Sequence, residues 1–182
     1  KIQFIKKNPS LKYKVSDARQ LFLAQLFTEF EYPQADNLAA DCFAHFYNAR
    51  QQVTLFDDVR IVLEKLNQHF NVIAITNGNA NIEHTGISEY FEFALNAEDF
   101  EKPKPHQEIF IAALRQANIE AHECLHIGDH PVHDMQGAYE MGMKTCWLKD
   151  GSREWKQPFE ADLIIEHVSQ LSSVLAKPNK QL

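Results

Sequence analysis

From Asp57 onward, short apolar stretches alternate with amphipathic ones of helical period, and this alternation constrains the fold more than any other feature. Asp57 to His69 carries Val59, Val62, Leu63 and Leu66 on one helical face. Val72 to Ile75 is apolar on both faces, the pattern of a strand buried within a parallel sheet. The series continues with a weaker strand at Phe93 to Leu95, a helix from His106 to Asn118, a strand at Cys124 to Ile127 and a helix from Pro131 to Met141. Strands at Lys144 to Leu148 and Asp162 to Ile165 and a closing helix from Val168 to Leu175 complete it. Such alternation predicts an α/β fold, a Rossmann-like three-layer arrangement with a parallel sheet between helices.

Ahead of the series the chain reads as all-helical. Leu21, Phe22, Leu26, Phe27 and Phe30 recur at helical spacing from Asp17 to about Tyr32-Pro33, and a second helix follows from Leu38 to Tyr47. The boundary falls near Gln51-Gln52, giving a small helical unit over 1–52 and an α/β core over 53–182. Lys1 to Lys14 holds five lysines and no acid, and is expected to be a solvated or frayed end rather than an arm for nucleic acid. The net charge of −7 has the wrong sign for a phosphate-backbone binder. Residues 1–51 carry +2 and residues 52–182 carry −9, and the acid excess of the larger part fits a bound divalent cation. The longest apolar run, Ile109 to Leu114, is six residues, against the ~20 of a membrane span. Three cysteines, Cys42, Cys124 and Cys146, cannot all pair and lack the spacing of a metal knuckle. The expectation is a soluble, cytoplasmic protein with buried thiols.

In open parallel sheets, ligands bind at the carboxyl ends of the strands, and three polar clusters stand there. Thr76-Asn77-Gly78-Asn79 offers a hydroxyl, an amide and backbone N–H groups suited to phosphate oxygens, although Asn-Gly is also an ordinary turn. Glu101-Lys102-Pro103-Lys104-Pro105 is a proline-stiffened loop that can aim a lysine. Gly128-Asp129-His130-Pro131-Val132-His133-Asp134 places one aspartate directly after a strand and a second five residues on. Such hard oxygen ligands suit Mg2+, or they simply cap the helix that Pro131 starts. His126, His130 and His133 raise zinc, but His126 lies in the strand and should point away from His130, which weighs against it.

In order, Thr76-Asn77-Gly78 after a strand, Lys102-Pro103-x-Pro105 running to Phe110, and strand-Gly128-Asp129 running to Asp134 resemble motifs II, III and IV of the haloacid dehalogenase superfamily. The preceding helical segment is similar to that superfamily's inserted cap. Ala74 to Ala80 and Tyr90-Phe91-Glu92-Phe93 resemble its bacterial branch that dephosphorylates flavin mononucleotide or a riboflavin-pathway precursor. The resemblance implies a Mg2+-dependent phosphatase acting on a small-molecule phosphate ester through an aspartyl phosphate. It implies that Thr76 binds phosphoryl oxygens, that Asn77 and Gly78 shape the turn, and that Lys102 neutralises the transferring group. Asp129 would bind the metal, and Asp134 would hold a metal-bound water or orient Lys102. Lys104 is the rival of Lys102, passed over because the family's lysine directly precedes the first proline.

Two departures follow from the same comparison. His106 stands where the family usually has a helix-capping aspartate or serine. More seriously, the Asp-x-Asp of the first motif, which supplies nucleophile and general acid/base, is absent, and Asp57-Asp58 opens a helix with no strand before it. In that fold the missing strand lies between those ending at Thr76 and Asp129. A gap is therefore expected there, and the 182 residues alone should be an inactive part of the enzyme. The other readings are a non-catalytic binding protein and a 2-haloacid dehalogenase; the latter needs no Mg2+ and does not keep the paired acids. Phe43, Phe46 and Tyr47 either face a substrate or pack the cap.

Overall fold

The computed structural model describes residues 2–175, and in it the helices and strands follow the expected order with bounds moved by a few residues. The all-helical segment is α1 (Ile2–Lys7), α2 (Val15–Glu29) and α3 (Ala35–Gln51). α2 stops short of Pro33, whose ring supplies no N–H, and the turn into α3 uses Glu31 and Gln34 at positive φ of 57° and 54°. α2 and α3 pack against each other, and the small side chains of Ala18 and Ala39 occupy their buried positions. Of the two forms expected for the lysine-rich start, the described residues take the solvated one, in a formed helix with its lysines exposed. Phe4 of α1 meets Phe22 of α2 edge to face at 5.5 Å, an aromatic contact that fixes the helix while Lys6 and Lys7 stay exposed.

Beyond α3, α4 (Val59–Asn67) buries Val62, Leu63 and Leu66. β1 (Ile73–Thr76) pairs in parallel with β2 (Phe93–Asn96), Ile73 opposite Phe93 and Thr76 opposite Asn96. After α5 (Gln107–Ala117), β3 (Leu125–Gly128), β4 (Lys144–Leu148) and β5 (Leu163–Ile165) form a second parallel sheet in the order β3-β4-β5. Two apolar cores flank the strands. Val62 and Leu66 of α4 meet Cys146, Ile165 and Leu171 on one side, the last from α7 (Leu171–Leu175). Ile109 and Phe110 of α5 meet Ala97, Ala138 and Met143 on the other. Val72 and Leu125 both join the first core, while Ile75 and Cys124 both join the second, so the two sheets share both layers. The fold is α/β, three-layered and Rossmann-like. β1 and β3 share no ladder, and each has one edge without a strand partner among the described residues.

The stretch expected as one helix from Pro131 is instead a π-helix (Pro131–Gln136) running into the short α6 (Gly137–Glu140). The wider turn follows from its first residues: His130 carbonyl accepts from both Asp134 N (3.0 Å) and Met135 N (3.2 Å). The buried-thiol expectation also needs correction. All three cysteines are free, but Cys42 is exposed on α3, Cys124 is partly buried and only Cys146 is fully buried. Among the described residues no helix is long and apolar enough to cross a membrane.

Gly137 marks the tightest approach of α6 to α5. A Cβ there would lie 2.6 Å from Phe110 Cε2 and 3.1 Å from Pro105 Cα. Gly137→Ala is expected to destabilise the chain by about 1–3 kcal/mol, as overpacking of a filled core does, measured as a lower urea midpoint at unchanged slope.

Candidate active site

The carboxyl ends of β1 and β3 bring together parts of all three clusters. At the end of β1, Thr76 Oγ1 accepts from Gly78 N at 2.9 Å and closes the turn on itself. The Asn77 side chain reaches 27 residues along the chain, where its Oδ1 accepts from Lys104 N (2.8 Å) and its Nδ2 donates to Lys104 O (3.0 Å). The backbone N–H and carbonyl of Lys104 are thus both held by one amide, so Asn77 clamps the proline loop as well as forming the turn.

That clamp sets Lys104. Its side chain is buried, and Nζ donates to Asp134 Oδ1 at 2.7 Å and to the Ile75 carbonyl at 2.8 Å. Lys102, the lysine expected at the site, is only partly buried and enters none of the described ion pairs or side-chain hydrogen bonds. The structure brings Lys104, not Lys102, to the junction of the three clusters. The lysine before the first proline is Lys102, but Lys104 also directly precedes a proline and is the one whose ammonium is buried. No local signal separates them; the Asn77 clamp that turns Lys104 inward comes from 27 residues away.

Asp134 is buried and fully engaged. Oδ1 faces Lys104 and His126 Nε2 (3.4 Å), and Oδ2 accepts from His130 N at 3.0 Å. Burial works to raise its pKa, but the hydrogen bond to His126 and the Lys104 ammonium outweigh burial and hold the carboxyl far below the usual carboxylate range. His126 shifts down, first because it is buried and then because of the Lys104 charge, with Asp134 opposing. A neutral His126 next to a carboxylate donates through Nε2–H. Its ring also stands edge-on to Phe110 at 5.3 Å. Gly128 is required by this packing, since a Cβ there would come within 2.5 Å of the Asp134 side chain.

Asp129 is different in kind. Its side chain is 47% exposed, its Oδ2 pairs with Arg153 Nη1, and its carbonyl accepts from Trp147 Nε1 at 3.1 Å. His130 Nδ1 accepts from Val132 N and His133 N, capping the π-helix, and the two imidazoles stack at 3.8 Å. The His133 pKa falls through burial and then through His130. Among the described residues no three His, Cys, Asp or Glu side chains converge as a metal cluster. Sequence reasoning missed Arg153 and His126 as partners of the two aspartates. Arg153 lies 24 residues from Asp129, on a connection with no motif of its own.

A threonine hydroxyl and a buried ammonium at the ends of these strands can bind and polarise an oxyanion, and the half-exposed Asp129 carboxylate is suited to a cation. The family model of haloacid dehalogenase-like hydrolases matches residues 5–148. The chain belongs to that family. It is 30% identical over 131 residues to 5-amino-6-(5-phospho-D-ribitylamino)uracil phosphatase YigB of Escherichia coli, covering 71% of this chain and 55% of that protein. It is 35% identical over 116 residues to a glyceraldehyde 3-phosphate phosphatase of Pyrococcus furiosus, covering 58% and 47%. The crystal structure of a 2-haloacid dehalogenase from Pseudomonas syringae superposes with a TM-score of 0.90 at 36% identity, over 96% of this chain and 76% of that one. The chain thus spans about half the length of these two curated relatives.

Proposed function

We propose that these residues form the cap, over 1–52, and most of the core of a Mg2+-dependent phosphatase that hydrolyses a small phosphorylated metabolite through an aspartyl phosphate. The observation that carries this reading is the Lys104 ammonium, buried against Asp134 and the Ile75 carbonyl beside the Thr76 turn. A cation fixed there attracts a phosphoryl group whose charge spreads in the transition state. Lys104 replaces Lys102 in this role, and Asp134 orients Lys104. Thr76, whose Oγ1 is an acceptor for Gly78 N–H, keeps its own hydroxyl hydrogen for a phosphoryl oxygen.

Of the two aspartates, Asp129 fits a metal and Asp134 does not. Asp129 is half-exposed and already neutralised by a cation, the Arg153 guanidinium, which stands in for one; the Asp134 oxygens are taken by Lys104, His126 and His130 N. Mg2+ bound by one or two carboxylates and waters would supply further positive charge at the phosphoryl oxygens. The nucleophile would come from an aspartate on a strand pairing with the free edges of β1 and β3, in an Asp-x-Asp sequence. Its carboxylate oxygen attacks phosphorus, the ester P–O bond breaks, the alcohol leaves with a proton from the second aspartate, and water then hydrolyses the acyl phosphate.

Flavin mononucleotide or a riboflavin-pathway phosphate is the substrate in this reading, and the likeness to YigB, named for 5-amino-6-(5-phospho-D-ribitylamino)uracil, supports the second of these. The free thiols favour a reducing, cytoplasmic setting. The dehalogenase reading is kept open by the Pseudomonas structure, and a common experiment separates the two. The chain joined to an Asp-x-Asp strand is expected to release phosphate from p-nitrophenyl phosphate with Mg2+, to stop with EDTA, and to release no halide from 2-chloropropionate. Asp129→Asn in that protein should abolish the Mg2+-dependent turnover. Activity within about threefold of the parent, ~0.7 kcal/mol of barrier, would remove Asp129 as the metal ligand.

A further inference from the structure

The two aspartates that follow β3 are each neutralised by a cation of the chain, but in different ways. Asp134 meets a buried ammonium, whereas the side chains of Asp129 and Arg153 are 47% and 38% exposed. An exposed pair of this kind opens at little cost, because water and salt resolvate both charges. What is built here is the holder of the arginine. Arg153 stands in the connection from β4 to β5, where Gly151 takes a positive φ of 81°. Asp150 Oδ1 accepts from Ser152 N at 2.9 Å and from Ser152 Oγ at 2.6 Å. The Ser152 hydroxyl, its hydrogen given to Asp150, accepts in turn from Arg153 Nη1 at 3.0 Å. Further along, Trp155 Nε1 donates to the Phe159 carbonyl at 2.9 Å, and the Phe159 ring stacks on Tyr139 of α6 at 3.9 Å. The Trp155 ring lies 4.9 Å from that of Trp147, the residue whose indole N–H holds the Asp129 carbonyl. The connection is pinned on both sides of Arg153, so the exchangeable part is the arginine side chain alone.

We infer that Arg153 is a resident counter-ion of Asp129 that yields the carboxylate to a hard metal cation, and that it thereby sets how tightly Asp129 takes that cation. This deepens the phosphatase reading and rests on it, since there Asp129 holds the metal. The guanidinium and a metal ion need the same carboxylate, so occupation by one opposes the other. The apparent affinity for the cation falls by the fraction of molecules in which Arg153 has released Asp129. For a half-exposed pair the reduction is about fivefold, ~1 kcal/mol. The same exchange does not suit Asp134. Lys104 is buried, so taking its carboxylate away would leave a buried ammonium without a counter-charge. The chain thus keeps one acid permanently neutralised and the other exchangeably so.

The test titrates Tb3+ into the 182-residue chain. Tb3+ is a hard, oxygen-seeking ion, and a tryptophan sensitises its luminescence only at close range. Trp147 and Trp155, the two tryptophans of the chain, provide that range beside Asp129. Arg153→Met, which adds no oxygen ligand, is expected to bind Tb3+ about fivefold more tightly than the parent. Arg153→Lys should fall between them, because an ammonium keeps the charge without the fork. Asp129→Asn should abolish the sensitised signal in the parent and in Arg153→Met alike, and excess Mg2+ should displace Tb3+ from both. A ratio under about twofold between parent and Arg153→Met, with the signal still lost in Asp129→Asn, overturns the counter-ion and leaves Asp129 as a metal ligand. A signal that survives Asp129→Asn, or none in Arg153→Met, overturns the counter-ion and the metal site together. A fivefold ratio with no displacement by Mg2+ keeps the counter-ion and removes magnesium from the phosphatase reading. Each variant is checked by thermal unfolding, where a change on a half-exposed side chain should leave Tm within about 2 °C of the parent. A larger fall in both Arg153→Met and Arg153→Lys would make Arg153 a structural residue and overturn its exchangeable role.

Discussion

In the chain joined to an Asp-x-Asp strand, Lys104→Met should lower kcat/KM for the proposed phosphatase reaction by at least about a hundredfold, whereas Lys102→Met should leave it within about threefold. The first figure is the ~2.7 kcal/mol typical of removing one preorganised charge from a developing oxyanion. The ranking rests on how each lysine is held. Lys104 has its backbone N–H and carbonyl clamped by Asn77 and its ammonium fixed by Asp134 and the Ile75 carbonyl. Little reorganisation remains for it to undergo when the reaction occurs. Lys102 has no described partner and keeps access to solvent, so its charge is screened and its stem is free to move. Steady-state kinetics at saturating Mg2+, with folding checked by circular dichroism, decides the ranking. The opposite order would return the role to Lys102.

The choice between these lysines also shows what the sequence could carry. Elements whose identity depends on neighbours in the chain were legible: β4 has the bounds Lys144–Leu148 expected from its apolar run, and α5 differs from its expected span by one residue at each end. The three clusters are legible as loops at strand ends for the same reason. Which side chain of a cluster turns inward is settled by partners far away in the chain. Asn77 acts on Lys104 across 27 residues, and Arg153 acts on Asp129 across 24. No local periodicity encodes either contact. His126 was placed correctly in a strand, yet its use as a donor to Asp134 depends on the π-helix. That turn returns Asp134 beneath Gly128, where only a glycine leaves room. The wide turn itself was read as an ordinary helix, because a single extra residue per turn leaves the apolar pattern of Met135 and Ala138 nearly unchanged.

Asp134→Asn should lower stability by about 3–5 kcal/mol at neutral pH, because it removes the negative charge that compensates the buried Lys104 ammonium and leaves it only neutral oxygen acceptors. For a chain of this size that corresponds to a fall in Tm on the order of 10 °C. The same pair sets an acid limb. The folded carboxyl of Asp134 titrates below its ordinary value. Its contribution is therefore present above the unfolded value near 4 and is lost as pH falls from there toward the folded value. His126 adds a second, earlier loss: its folded pKa lies below the ordinary 6.5, so the unfolded chain takes up a proton first and stability declines as pH drops below about 6.5. Urea unfolding at pH 7, 5 and 3 is expected to show the parent weakening modestly between 7 and 5 and steeply by 3. The gap between parent and Asp134→Asn should be near its full size at pH 7 and 5 and smaller at pH 3, where the Asp134 carboxyl takes up a proton in the unfolded chain while staying ionised in the folded one. A gap of constant size across that range would mean that the carboxylate charge is not what holds Lys104, and that the aspartate serves the site through its shape alone.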